Sequence, residues 1–148
     1  MINIATIGFS KKTLEQFLNL LKSSKTTCLI DTRLNNTSQL AGFAKKNDLK
    51  FILEELVGIE YKHSLELAPT QDILTEFKSK VIDWHEYEKR YTALLKQRNI
   101  EKKINEIIEG HQNICFLCSE HQHHNCHRSL LADYIKETNP NVNIVHLC

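Results

Sequence analysis

The stretch Ile114-Cys115-Phe116-Leu117-Cys118-Ser119-Glu120-His121-Gln122-His123-His124-Asn125-Cys126-His127-Arg128-Ser129-Leu130-Leu131 runs from a short apolar segment through a polar loop into an apolar stripe. The first segment has strand length and turn-type residues before it, so it reads as a buried strand. Beyond the loop, Leu130, Leu131, Tyr134 and Ile135 recur at helical spacing, and Asn125 can cap the helix they define. Val142 to Leu147 follows as a closing strand.

The same alternation continues toward the amino terminus. Ile2 to Ile7 is a strand ended by Gly8, and Leu14, Phe17, Leu18 and Leu21 form a helical face behind the capping box Thr13-Leu14-Glu15-Gln16. Cys28-Leu29-Ile30 is a second strand. Leu49, Ile52, Leu53 and Leu56 mark a helix that Asn47 or Asp48 would cap and Gly58 would end. Ile59 to His63 reads as a further strand, and Pro69-Thr70 introduces a helix carrying Ile73, Leu74 and Phe77. Two more stripes, Trp84-Tyr87-Tyr91-Leu94-Leu95 and Ile100-Ile104-Ile107-Ile108, precede Gly110. About five strands alternating with helices imply an α/β, Rossmann-like fold: a mostly parallel sheet with helices on both faces.

Composition sets the outer limits. The 148 residues, 41% hydrophobic and 25% charged, with 4 Gly and 2 Pro, have an ordinary globular balance. No repeat or linker divides them, so residues 1–148 read as a single α/β domain. A formal net charge of +1 supplies no global basic field, which disfavours nucleic acid as a polymeric partner. No apolar run approaches the roughly 20 residues needed to cross a bilayer, so no membrane role is expected. The 5 cysteines are an odd number for a disulfide framework, and Met1 leads straight into the first strand without a leader. These features predict a cytoplasmic protein with free thiols.

In a parallel sheet the carboxyl ends of the strands share one edge, where ligands bind. That edge should gather Ser10, then Asp31 and Arg33, then His63, then Cys118 and Glu120, with His146 near the last strand's end. The loop from Cys118 to Arg128 is the densest cluster, with two thiols, four imidazoles, a carboxylate and a guanidinium. One reading makes Cys118, Cys126 and His127 ligands of a divalent metal such as zinc, although the Cys-x7-Cys spacing lacks the short ligand pair of common zinc modules. Another places His127, Arg128 and Ser129 in the first turn of a helix, where backbone N–H groups and the arginine fork suit a phosphate or carboxylate. The same field would favour thiolate at Cys126 or Cys118. A third is structural: Arg128 pairs with Glu120 or Asp31, Asp31 and Arg33, two apart on one strand face, form an ion pair, the cysteines are small core residues, and His121, His123 and His124 are solvated.

Taken together, Thr6-Ile7-Gly8-Phe9-Ser10, Asp31-Thr32-Arg33 with Asn36-Thr37-Ser38 and Gly42-Phe43, and Cys118-Ser119-Glu120 followed by Cys126-His127-Arg128-Ser129 resemble the domain of unknown function 488 family. The resemblance extends over Gly58-Ile59-Glu60-Tyr61-Lys62-His63, the Trp84 to Leu95 segment and Val145-His146-Leu147. It implies a compact Rossmann-like fold with these motifs in one cleft, and it implies no particular reaction. Two positions depart from the family's pattern. Thr32 stands where valine is usual, and Asn36 lies near the usual proline, which predicts a differently shaped loop after Arg33.

The leading expectation is a small enzyme, a hydrolase or transferase, acting on an anionic, phosphate-containing ligand such as a nucleotide or nucleic-acid end. Arg33 and Arg128 would clamp the anion, and Glu120 would be general acid or base. Cys118 or Cys126 would be nucleophile, with His127 or His63 for proton transfer and Asp31 and Ser10 positioning. Two alternatives stay open: a zinc- or iron-binding or redox protein using Cys118, Cys126 and a histidine, and a noncatalytic module that binds a nucleotide or a partner.

Overall fold

The apolar runs sort their side chains onto two faces because successive residues of a strand point to opposite sides. In β1 (Ile2–Gly8), Ile4 packs into one core while Ala5 and Ile7 pack into another. β2 (Cys28–Asp31) and β4 (Asn113–Cys118) divide likewise: Cys28, Ile30, Ile114 and Phe116 on one side, Leu29, Cys115 and Leu117 on the other. Both faces are therefore buried, which is why these strands read as continuous apolar runs. The computed structural model describes residues 1–36, 42–118 and 126–148.

β3 (Glu60–His63) and β5 (Val142–Leu147) complete a five-stranded sheet in the order β3-β2-β4-β1-β5, and every pairing is parallel. α1 (Leu14–Ser23) joins β1 to β2, and α2 (Lys46–Phe51) joins β2 to β3, both covering the Ala5–Ile7 face through Phe17, Leu21 and Leu49. α3 (Gln71–Lys78), α4 (Trp84–Gln97), α5 (Ile100–Ile108) and α6 (His127–Thr138) cover the Ile4 face. The chain thus moves toward β3 with its helices on one face, then reverses toward β5 with its helices on the other. The reversal is centred on β4, whose two neighbours both send their following helix to the opposite face. In open α/β sheets the crevice outside the carboxyl ends of such strands is where ligands bind. Among the described residues no helix is long and apolar enough to cross a membrane.

Local signals explain most element ends. The α1 capping box forms as the sequence predicts: Thr13 Oγ1 accepts from Gln16 N at 3.1 Å, and the Gln16 side chain accepts from Thr13 N at 2.8 Å. Thr70 caps α3 and Asp83 caps α4. The helix expected from Asn47 or Asp48 instead starts at Lys46 behind Lys45, which makes no side-chain cap. It continues as a π-helix over Ile52–Val57 until Gly58, in the left-handed conformation at φ 80°, ends it. α6 also starts without a side-chain cap, because Cys126 and not Asn125 occupies the capping position.

Candidate functional site

Register brings three strand ends level at the crevice. Gly8 of β1 lies opposite Cys118 of β4, and Asp31 of β2 lies opposite Leu117. The residues beyond these ends form two clusters, one on each side of the sheet, joined through Thr32.

On the α1 and α2 side, Asp31 is the acceptor for a group of buried donors. Arg33 grips it with two hydrogen bonds, Nε to Oδ1 and Nη2 to Oδ2, each 2.8 Å, and its backbone N–H adds a third at 3.1 Å. Tyr61 OH donates to Asp31 Oδ2 at 2.5 Å, and Asn36 Nδ2 donates to the same oxygen at 3.3 Å. Burial alone would push the Asp31 carboxyl up, but the hydrogen bonds and charge of Arg33, then the Tyr61 hydroxyl, hold it below its ordinary value. Burial first, and the adjacent Asp31 charge next, drive the Tyr61 phenol up, so it stays a donor. Arg33 is 3% exposed, donates to Ala44 O at 2.7 Å and lies 5.3 Å from the centre of the Phe9 ring. Its Nη1 is buried and has no hydrogen-bond partner among the described residues. His63 Nε2 donates to Arg33 O at 2.8 Å, tying the end of β3 to this turn.

On the α6 side, Thr32 Oγ1 donates to Leu117 O at 2.8 Å and stands 3.0 Å from His127 Nε2. His127 Nε2 donates to Thr32 O at 2.9 Å. The start of α6 is thereby fastened to the end of β2. Burial lowers the His127 imidazole to about 4, outweighing the Thr32 bond that favours charge, and the Arg128 guanidinium adds to the lowering. The ring is therefore neutral near pH 7. Arg128 is fully buried, and its Nη1 donates to Cys118 Sγ at 3.1 Å. The Lys12 ammonium, half-buried in the turn after β1, is pushed down by burial and then by the Arg128 charge. Lys12 also lines a hollow of about 470 Å³ that runs along α1 to Cys148.

Several expectations need correction. Cys118 and Cys126 were expected as free thiols, and their sulfurs meet at the crevice, where the end of β4 faces the capping position of α6, with the Cα atoms 7.5 Å apart, wider than a disulfide ordinarily spans. Cys28, Cys115 and Cys148 are the free cysteines. Of the two partners offered for Asp31, the structure forms the pair with Arg33 and not with Arg128. Ser10 sits half-buried in the turn before Lys12, and His146 Nδ1 is 2.6 Å from Thr6 Oγ1 across the β1–β5 pair. Glu120, like Ser119, His121 to Asn125 and Thr37 to Ala41, lies outside the described residues.

Sequence reasoning assigned no role to Thr32, Asn36 or Tyr61, although the signals were present. Thr32 and Asn36 are the two departures from the family pattern, and both are hydrogen-bonding parts of the network that valine and proline could not supply. Tyr61 lies two residues before His63, and that alternation directs it to the face bearing Asp31.

The model of a family described as domain of unknown function DUF488 matches residues 13–135. No curated protein and no solved structure gives a significant match.

Proposed function

The chain belongs to the DUF488 family, and we propose that it is a small enzyme that takes an anionic, phosphate-containing ligand at the carboxyl end of β4. The observation that carries this reading is the convergence of Arg128, Lys12 and the first turn of α6 at the topological switch point. A helix amino terminus presents N–H donors and a partial positive charge, and two cationic side chains beside it add attraction for a dianion. Arg128 and Lys12 are the anion-binding groups. Arg33, engaged with Asp31, holds the opposite wall, and Ser10 and His63 belong to the same edge.

In the dithiol form the Cys118 sulfur lies beside Arg128 Nη1, where the guanidinium favours thiolate, so Cys118 is the candidate nucleophile. Glu120 is the candidate general acid or base for a hydrolase or transferase step. Neutral His127 acts by fixing α6 to Thr32. The test is titration of the reduced protein with inorganic phosphate, AMP and ATP by calorimetry. Lys12→Ala should weaken phosphate or nucleotide binding roughly fivefold, as expected for about 1 kcal/mol of a partly solvated charge contact, while Arg128→Lys should cost tenfold or more. Equal affinity in the parent and in Lys12→Ala would remove the proposal.

The contact between the Cys118 and Cys126 sulfurs favours a second reading, a redox protein that cycles this pair between dithiol and disulfide. It predicts a reversible two-electron couple confined to these sulfurs. Thiol labelling that is the same with and without reductant would sink it.

A further inference from the structure

The amino ends of β2 and β3 lie at the edge of the sheet remote from the crevice. Register there sets Cys28 directly beside Glu60, so the two side chains leave the same face of neighbouring strands. α5 ends in two consecutive left-handed residues, Glu109 at φ 50° and Gly110 at φ 82°, and this turn delivers His111 to the same place. The Cys28 Sγ, a Glu60 carboxylate oxygen and a His111 ring nitrogen all lie within 4.8 Å of one another. Cys28 is buried, and Glu60 and His111 are half-buried.

The His111 ring is also held at its far side. Thr27 Oγ1 donates to Asn113 O at 3.2 Å and therefore accepts from His111 Nδ1–H at 2.8 Å. Nε2 is left facing Glu60 Oε2 at 2.6 Å. An imidazole that donates from one nitrogen to a protein oxygen and presents the other to a carboxylate and a thiol has the orientation used by metal-binding histidines. The nearby cation, Lys62, is engaged elsewhere: its Nζ lies 2.9 Å from the Glu109 carboxylate and donates to Ile107 O at 3.0 Å.

We propose that Cys28, Glu60 and His111 bind a divalent cation of the zinc class, with water as a fourth ligand. A sulfur, a nitrogen and a carboxylate oxygen form a borderline-soft donor set, which suits zinc and not calcium or magnesium, whose sites are built from oxygen. The cation takes the place of the proton shared by His111 Nε2 and Glu60 Oε2, and that proton and the Cys28 thiol proton pass to solvent. Bound there, it ties β2, β3 and the α5–β4 turn together at the edge opposite the anion site.

Titration of the reduced, untagged full chain with Co²⁺ under anaerobic conditions tests this, because a thiolate–cobalt bond gives a charge-transfer band that oxygen and nitrogen ligands do not. One equivalent should produce the band, and Zn²⁺ should bleach it and raise Tm. His111→Ala, on a half-buried turn, should retain the fold and lose roughly tenfold or more in affinity. Cys28→Ser should abolish the band, whereas the double variant Cys118→Ser/Cys126→Ser should keep it. A parent protein with no thiolate–cobalt band, unchanged affinity in His111→Ala, or a band lost only in the double variant would overturn the assignment.

Discussion

Protonating His127 in place would set an imidazolium near the Arg128 guanidinium in a buried space, with Thr32 O as the acceptor for Nε2. The folded protein therefore resists the proton: burial lowers the group from 6.5 to about 4. The unfolded chain binds a proton as pH falls through about 6.5, while the folded chain does not until about 4, so the unfolded state is favoured progressively across that window. Stability present above pH 6.5 is lost on acidification, and the gap is worth roughly 3 kcal/mol. Urea denaturation of the parent should show this decline between pH 7 and pH 4. His127→Gln, which keeps a donor toward Thr32 O but does not titrate, should be less stable at pH 7 and should lack this part of the slope. An identical slope in the variant would show that His127 is not its source. At this scale the sequence disclosed which residues would gather, since strand ends name themselves. It offered both Arg33, two residues on along the same face, and Arg128 as the partner of Asp31, and the structure forms the Arg33 pair.

Gly58 decides where one element stops. The helix through Leu49 and Leu53 must turn back so that β3 can pair with β2, and Gly58 does this at φ 80°. Among the described residues a Cβ there would meet nothing within 4 Å, so the cost of a side chain is conformational and not steric crowding by neighbours. Gly58→Ala should lower stability by about 1 kcal/mol, and Gly58→Asn by less, because asparagine tolerates the left-handed region. Gly42 is the control: among the described residues its Cβ would also meet nothing within 4 Å, but it opens a 3₁₀ turn without a positive φ, so Gly42→Ala should be neutral or slightly stabilising. Equal losses at the two positions by urea denaturation would refute the conformational account. The strands and most helices were legible at this scale because apolar spacing and caps are local properties. The π-helix over Ile52–Val57 was not, since Leu49, Ile52, Leu53 and Leu56 suit an ordinary α-helix equally well. Its setting is tertiary: Glu54 Oε2 accepts from Tyr61 N at 3.1 Å, and Leu53 O accepts from Ile59 N at 2.8 Å.

Alternation of strands and helices predicts a parallel sheet, but strand order is a property of the whole molecule, and nothing in the spacing of apolar residues states that β4 lies between β1 and β2. That placement is what puts the carboxyl end of β4 and the start of α6 beside the turns after β1 and β2. It also orders the stability of the sheet. β4 has hydrogen-bonded neighbours on both sides and buries Ile114 to Leu117 between two cores, whereas β5 is an edge strand with Asn143 and Val145 exposed. Amides of a doubly paired, doubly covered strand exchange only when the whole sheet opens, while those of an edge strand also exchange by local fraying. Native-state hydrogen exchange should therefore find Ile114 to Leu117 protected to the full unfolding free energy, with Ile4 to Ile7 close behind. The central residues of β5 should exchange at lower opening free energies. Adding urea should merge the two groups, because global opening is steeply denaturant-dependent and fraying is not. Exchange in β4 as fast as in β5, with the same weak dependence on urea, would mean that β4 does not occupy the centre of the sheet, and the site assembled around its carboxyl end would have to be abandoned with it.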